Sequence, residues 1–300
     1  MTARAARGLV TAQNADGGWG ARPGRSSATE PTAMAVLALS AMASVAARSS
    51  VTRGVQWLRA SQRPDGHWPV STRVSEPSWA TSLAAFALLK VDGDVGRLER
   101  AAGWLVGQRT AEPGWVVRIV HAIAPGAMTV RVNPTLRGWP WLAGTSGFVE
   151  PTAYALFALR MALREQPPAG LGLRIREAEE MLYDRMCPGG GWNYGNSYVL
   201  GEALSPFADV TALALIALQH RAGDARTRQS LERLPELMTA ARSGLALALG
   251  TICLALHGAD VTAWQGLLVR RFAETGFLGE TRAVALGLIA LASPRGIFRL

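Results

Sequence analysis

A tryptophan closing a glycine-containing turn returns at near-constant spacing along the first part of this chain. "GLVTAQNADGGWG" starts at Gly8, "RGVQWLRASQRPDGHW" at Arg53, "GWLVGQRTAEPGW" at Gly103 and "MLYDRMCPGGGWNYG" at Met181. The turns end on Trp19, Trp68, Trp115 and Trp192, so the first two steps are 49 residues (19 to 68) and 47 (68 to 115). A period of that length means one helix pair per unit, stacked in a row or closed into a ring. In each turn the glycine can accept positive φ and end the preceding helix. The glutamine can bond exposed backbone, and the tryptophan seals the joint between units.

After each turn comes a helix of common form: "EPTAMAVLALSA" from Glu30, "EPTAYALFALRM" from Glu150, "DVTALALIALQH" from Asp209 and "ETRAVALGLIAL" from Glu280. "SWATSLAAFALLK" from Ser78 has Trp79 in the acidic place, and "LALALGTICLALHG" from Leu245 has no acid. Helices apolar nearly all round must be enclosed. The helices before the turns alternate instead: Arg53, Gln56 and Arg59 interleave with Val55, Trp57 and Leu58, and Arg176, Glu177 and Glu180 with Ile175, Met181 and Leu182. Those have one wet face. The pattern predicts an all-α fold, a single (α/α)6 barrel of six buried and six half-exposed helices. It forms one domain over 1–300, with unit boundaries near 48, 93, 170, 223 and 258. A long insertion, 116–149, is expected at the barrel mouth, because connections from outer to inner helices gather on one side.

Composition agrees. With 49% hydrophobic and 18% charged residues the chain can bury a large core. Two cysteines, Cys187 and Cys253, are too few for a disulfide framework, which predicts a reducing, cytoplasmic setting. The formal charge is +9 and Lys90 is the sole lysine. The arginines are spread rather than clustered, which argues against nucleic acid and leaves peripheral contact with an anionic membrane open. The first repeat begins at once after Met1, leaving no room for a signal peptide. The longest apolar run, 244–257, is too short to span a bilayer.

The Gln-Trp turns resemble the QW repeats of the terpenoid-cyclase and protein-prenyltransferase superfamily, in the squalene-hopene-cyclase manner. "RGVQWLRASQRPDGHW" carries the likeness almost position for position, and the "EPTA" helices extend it along the chain; "VRRFAETGFLGE" from Val269 is a decayed copy. The resemblance implies an α/α toroid, an apolar cavity and long isoprenoid substrates. The catalytic motifs differ. Where class II cyclases carry Asp-x-Asp-Asp, this chain reads Phe207-Ala208-Asp209-Val210, one aspartate, at the proton donor's place. Where prenyltransferases hold zinc with Asp-x-Cys, it reads Asp209-Val210-Thr211. It also lacks a Cys-Gly-x-Gln thioester and an aspartate-rich magnesium motif, so no metal and no cofactor are expected.

Inner-helix N-termini meeting at one mouth make a positive potential. Arg22, Arg25, Arg73, Arg131 and Arg137 lie in loops there and Arg282 in the last inner helix, an arrangement suited to an anionic head group such as a diphosphate. Alternatively, Glu30, Glu150, Asp209 and Glu280 cap the helices. The catalytic candidates are Asp209 and Glu280; the substrate-binding candidates are Trp79, Tyr154, Phe157, Tyr194 and Arg282, with Phe86 and Asn193 beside them. Aromatic faces in the cavity would stabilise a carbocation, or belong to ordinary core. His67, His121, His220 and His257 form no spaced pair. The function expected is that of an isoprenoid-handling enzyme, cyclase or transferase, binding a prenyl diphosphate or polyprenyl chain. The alternatives are a non-catalytic toroid for a lipid or partner protein, and a glycan-processing barrel using Glu150 and Asp209. A second subunit is left open.

Overall fold

Tryptophan backbone amides anchor the joints. Trp19 N–H donates to Thr32 Oγ1 at 2.9 Å, Trp68 to Thr81 at 2.9 Å, Trp139 to Thr152 at 2.8 Å and Trp192 to Thr211 at 2.9 Å. Each indole N–H donates in turn to a carbonyl of the preceding outer helix: Leu9, Leu58, Leu105 and Leu182, at 2.7, 2.7, 3.2 and 2.5 Å. A buried indole needs such a partner. The computed structural model describes residues 1–108, 119–120, 123, 132–142, 144–165 and 167–300. Trp115, His121 and Arg131 fall outside them. The bonds of the third station, expected from Trp115, are made by Trp139.

Among the described residues twelve α-helices alternate between two rings. The inner ones are α2 (Thr29–Ser40), α4 (Ala80–Asp92), α6 (Val149–Ala162), α8 (Ala208–Ala217), α10 (Gly244–Leu256) and α12 (Thr281–Ala292). The outer ones are α1 (Thr2–Thr11), α3 (Val45–Ser61), α5 (Val95–Gly107), α7 (Leu171–Asp184), α9 (Ala225–Ala240) and α11 (Thr262–Thr275). Inner helices contact in the order α2, α4, α6, α8, α10, α12 and back to α2, and each outer helix packs on the inner helix before it, α1 on α12. The inner helices are buried on nearly every face, as their all-round apolar sequences require. This is the all-α toroid of six helix pairs.

The outer-to-inner connections carry two short antiparallel hairpins, Pro69–Ser71 with Val74–Pro77 and Tyr198–Val199 with Glu202–Ala203. Isolated bridges join Ala28 to Ser71 and Ser78 to Leu142, so neighbouring connections touch at the end where inner helices begin. Trp141 meets Trp79 edge-on there, ring centroids 4.8 Å apart.

The turn itself works differently from the sequence reading. Gln62 at the end of α3 is extended, φ −68° and ψ 130°, so glutamine and not glycine ends the helix. Gly66, φ +102°, serves a turn four residues on, where a Cβ would stand 2.4 Å from the Arg100 carbonyl oxygen. Gly17 does the same against Arg53. The glutamine amide locks this approach. Gln62 Nε2 donates to Gly66 and Arg97 carbonyls at 3.1 and 3.2 Å, and Gln13 Nε2 to Gly17 and Ser50 at 2.8 and 2.9 Å. Each turn thereby holds the next outer helix.

Candidate functional site

The first helical hydrogen bond fixes which residues are equivalent on the inner helices. The amides of Thr32, Thr152, Thr211 and Val284 bond the carbonyls of Ala28, Phe148, Phe207 and Glu280. In that frame Glu30, Glu150, Asp209 and Arg282 hold one position, the second of α2, α6, α8 and α12. Glu280 lies two residues earlier, at the N-cap. The N-cap residues of α2, α6 and α8, Ala28, Phe148 and Phe207, give no side-chain cap bond. Asp209 accepts from the first-turn amide of Val210, and burial raises the Glu280 pKa while the Ala283 amide lowers it.

α12 and α6 stand opposite each other in the ring, yet Arg282 hydrogen-bonds Glu150. That contact crosses the barrel axis. Arg282 Nη1 also lies 3.2 Å from Glu30 Oε1, an ion pair without hydrogen-bond geometry, since Glu30 Oε1 and Arg282 Nε are both buried without a hydrogen-bond partner. One turn deeper on α6, the Tyr154 hydroxyl donates to Glu150 Oε1 at 3.1 Å, and the guanidinium carbon sits 5.7 Å from the Tyr154 ring centroid.

Burial raises the Glu30 pKa above the ordinary carboxylate range; Glu150 and Glu280 reinforce this and Arg282 opposes it. Glu280 is raised too, first by burial, against Arg282 and Arg22. Burial pushes the Tyr154 phenol well above its usual value. For Arg282 burial acts against the charge, but Tyr154, Glu30 and Glu150 outweigh it and its pKa rises.

Beneath the cluster the axis is aromatic. Tyr154 and Phe157 are fully buried, 5.8 Å apart between centroids; Phe157 lies 5.8 Å from Phe86 and 5.6 Å from Phe298. These rings are in contact with one another. Tyr194 stands at the rim, 47% exposed, its ring 5.3 Å from Phe207. Its phenol pKa is raised by burial and by the charges of Asp209 and Glu150. Asp209 is half-buried and accepts from the Val210 amide at 3.0 Å. Trp79 contacts Trp141 and leaves its buried indole N–H without a partner. Buried Asn193 caps its own turn, accepting from Gly195 and Asn196 amides. The sequence reading thus named Tyr154, Phe157 and Arg282 in one cluster, missed Glu30 and Glu150 as Arg282's partners, and missed Phe298.

Arg22, Arg25 and Arg73 are exposed to solvent. Cys187 and Cys253 are buried free thiols. Among the described residues no three His, Cys, Asp or Glu side chains converge as metal ligands, and no helix is long and apolar enough to cross a membrane.

Residues 1–73 match the family model of the squalene-hopene cyclase C-terminal domain. No curated protein matches the chain in sequence. Among solved structures, a protein from Actinoplanes superposes with TM-score 0.62 at 18% identity, over 98% of this chain and 99% of that one. A type II terpene cyclase from Scytonema superposes with TM-score 0.57 at 16% identity, over 97% of each chain. An α-1,6-mannanase from Salegentibacter, solved with α-1,6-mannotriose, superposes with TM-score 0.57 at 11% identity over the full length of both. The chain thus shares the α/α toroid fold of a type II terpene cyclase over its whole length, and residues 1–73 are similar to the squalene-hopene cyclase C-terminal domain.

Proposed function

We propose that the protein is an isoprenoid-handling enzyme of cyclase type, with the polar end of an apolar substrate at the Arg282–Glu150–Glu30 cluster and the chain directed down the barrel. The observation that carries this is the charged contact across an otherwise apolar axis. A buried ion pair is a poor source of stability compared with apolar packing, so its retention there points to chemistry. The Scytonema cyclase of the same fold was solved holding geranylgeranyl dihydroxybenzoate, an apolar chain with a polar head.

The charges select among substrates. Glu30, Glu150 and Glu280 surround Arg282, so the guanidinium is already neutralised. This favours an uncharged polyprenyl chain over a prenyl diphosphate. A raised carboxyl pKa makes a weak acid, unsuited to protonating an alkene but suited to a hydroxyl, carbonyl or epoxide oxygen, or to taking up the proton that ends a cationic cascade. Glu30 and Glu280 fit that role, with Glu150 pinned by Arg282 and Tyr154. Tyr154 and Phe157 offer ring faces to a developing cation. Asp209 and Tyr194 would act at the rim, as base or steering charge, with Trp79 beside the entrance.

A second reading, a non-catalytic toroid binding a lipid or a partner, draws on the filled axis. One experiment separates them. Wild type, Glu30→Gln and Asp209→Asn are incubated with linear polyprenyl alcohols, squalene and geranylgeranyl dihydroxybenzoate, and products are read by mass spectrometry. We expect conversion by wild type and loss of at least about 100-fold in Glu30→Gln, the size of one general acid–base contribution. Binding without conversion by wild type would establish the second reading.

A further inference from the structure

Phe298 is the one fully buried side chain of the segment after α12, with Ile297 and Leu300 packed partly buried against the core beside it. It is 1% exposed, while Arg295, Gly296 and Arg299 around it are half-buried or exposed. Its ring stacks on Phe86 at 5.8 Å and 11° and tilts against Phe157 at 5.6 Å. The contacts then run through Tyr154 to Glu150 and Arg282. The bore is thus crossed by Arg282 at one end and stoppered by Phe298 at the other.

The stopper is lightly held. Pro294 follows the last turn of α12, and residues 293–300 form neither helix nor strand. Lys90 Nζ donates to the Arg299 carbonyl at 2.6 Å, and Gln219 Nε2 to the Phe298 carbonyl at 2.9 Å. Leu300 N–H donates back to Gln219 Oε1 at 3.2 Å. Beside the segment lies an open pocket of about 390 Å³, bordered by His220, Leu256, Arg295 and Arg299, with room for the segment to move outward.

We propose that residues 293–300 are a displaceable plug, and that withdrawal of Phe298 opens a latent apolar site between Phe86 and Phe157 for a hydrocarbon chain or a small aromatic ring. A ligand that needs the open state binds with an affinity reduced by the fraction of molecules open. Loosening the latch must therefore tighten binding even though Phe298 is untouched. No fixed core residue behaves so.

The choice of an isoprenoid probe rests on the function proposed above; benzene does not. Wild type, the latch variant Lys90→Met/Gln219→Ala, Lys90→Met alone and Phe298→Ala are compared for farnesol binding by calorimetry and for benzene by thermal shift. Losing one charge-assisted and two neutral hydrogen bonds should raise the open fraction, and farnesol affinity, roughly tenfold or more in the latch variant, and less in Lys90→Met. Phe298→Ala should bind both probes. Should Phe298→Ala bind benzene while the folded latch variants match wild type for both probes, Phe298 is ordinary core and the plug is refuted. Absence of benzene binding by Phe298→Ala also overturns it. Benzene binding that rises with latch loosening, without farnesol binding anywhere, upholds the plug and removes the isoprenoid reading.

Discussion

Glu179 on α7 is 1% exposed and faces Arg160 on α6, the inner helix of its own pair, and His220 and Arg221 just after α8. Arg221 meets it with Nε at 3.0 Å and Nη2 at 2.8 Å, His220 Nε2 lies at 3.3 Å, and Arg160 completes the ring. Burial alone would raise its pKa, but contacts from His220, Arg221 and Arg160 hold it down at about 2. Removing one partner of a buried ionic group strands the others. Glu179→Ala should therefore cost about 3 kcal/mol, read as a lower urea midpoint at unchanged slope. The sequence pattern put Arg176, Glu177 and Glu180 on the wet face of this helix and is silent on Glu179. Its burial comes from α6 and the turn after α8, which no local periodicity can show. Arg282 is similar: the mouth was legible from the helix starts, whereas a bond across the axis to Glu150 depends on ring closure.

At the scale of elements, the Trp turn is a joint with three attachments, and the third unit shows what defines it. Trp139 has the amide bond to Thr152, the indole bond to Leu105, and an Arg174 guanidinium 3.8 Å above its ring. Arg174 also donates to the Arg137 and Gly138 carbonyls, both at 2.7 Å, doing for this turn what glutamine does in the first two. Trp139→Phe keeps most of the volume and loses the indole bond, about 1 kcal/mol. Trp139→Ala also leaves a cavity, about 3–5 kcal/mol. Both are measurable by denaturant unfolding, and equal losses would deny the indole bond any role. The signal for this station was present in the sequence. Trp19 and Thr32, Trp68 and Thr81, and Trp139 and Thr152 are each 13 residues apart. Trp192 and Thr211 are 19 apart; both this connection and the shorter one from Trp68 to Thr81 contain a hairpin, so the fourth connection is longer around it. Spacing between tryptophans follows insertions; spacing from tryptophan to the next inner helix follows the joint.

Taken whole, the molecule gathers raised carboxyl pKa values at one end of the axis and places its most depressed buried carboxylate, Glu179, on the wall. Glu30 and Glu280 bind protons more readily folded than unfolded, so stability from them is full below the ordinary carboxylate range, near 4.5, and is lost as pH rises through their raised values. Glu179 has the opposite sign: its contribution is present above about 4.5 and fades as pH falls toward about 2. His257, lowered by burial from its ordinary 6.5, adds stability as pH rises through that range and partly masks the loss from the mouth. A single stability curve would mix these terms; a difference curve does not. Wild type and Glu30→Gln should be unfolded in urea at intervals from pH 4 to pH 8. The amide introduced by Glu30→Gln cannot titrate, so the variant should gain on wild type steadily above the ordinary carboxylate range, and level off once Glu30 is ionised in both states. The gain exists because ionised Glu30 sits buried beside Glu150 and Glu280 with one guanidinium among them. A difference independent of pH would mean that Arg282 fully compensates Glu30, and the mouth would then hold a closed structural ion pair with no proton to exchange with a substrate.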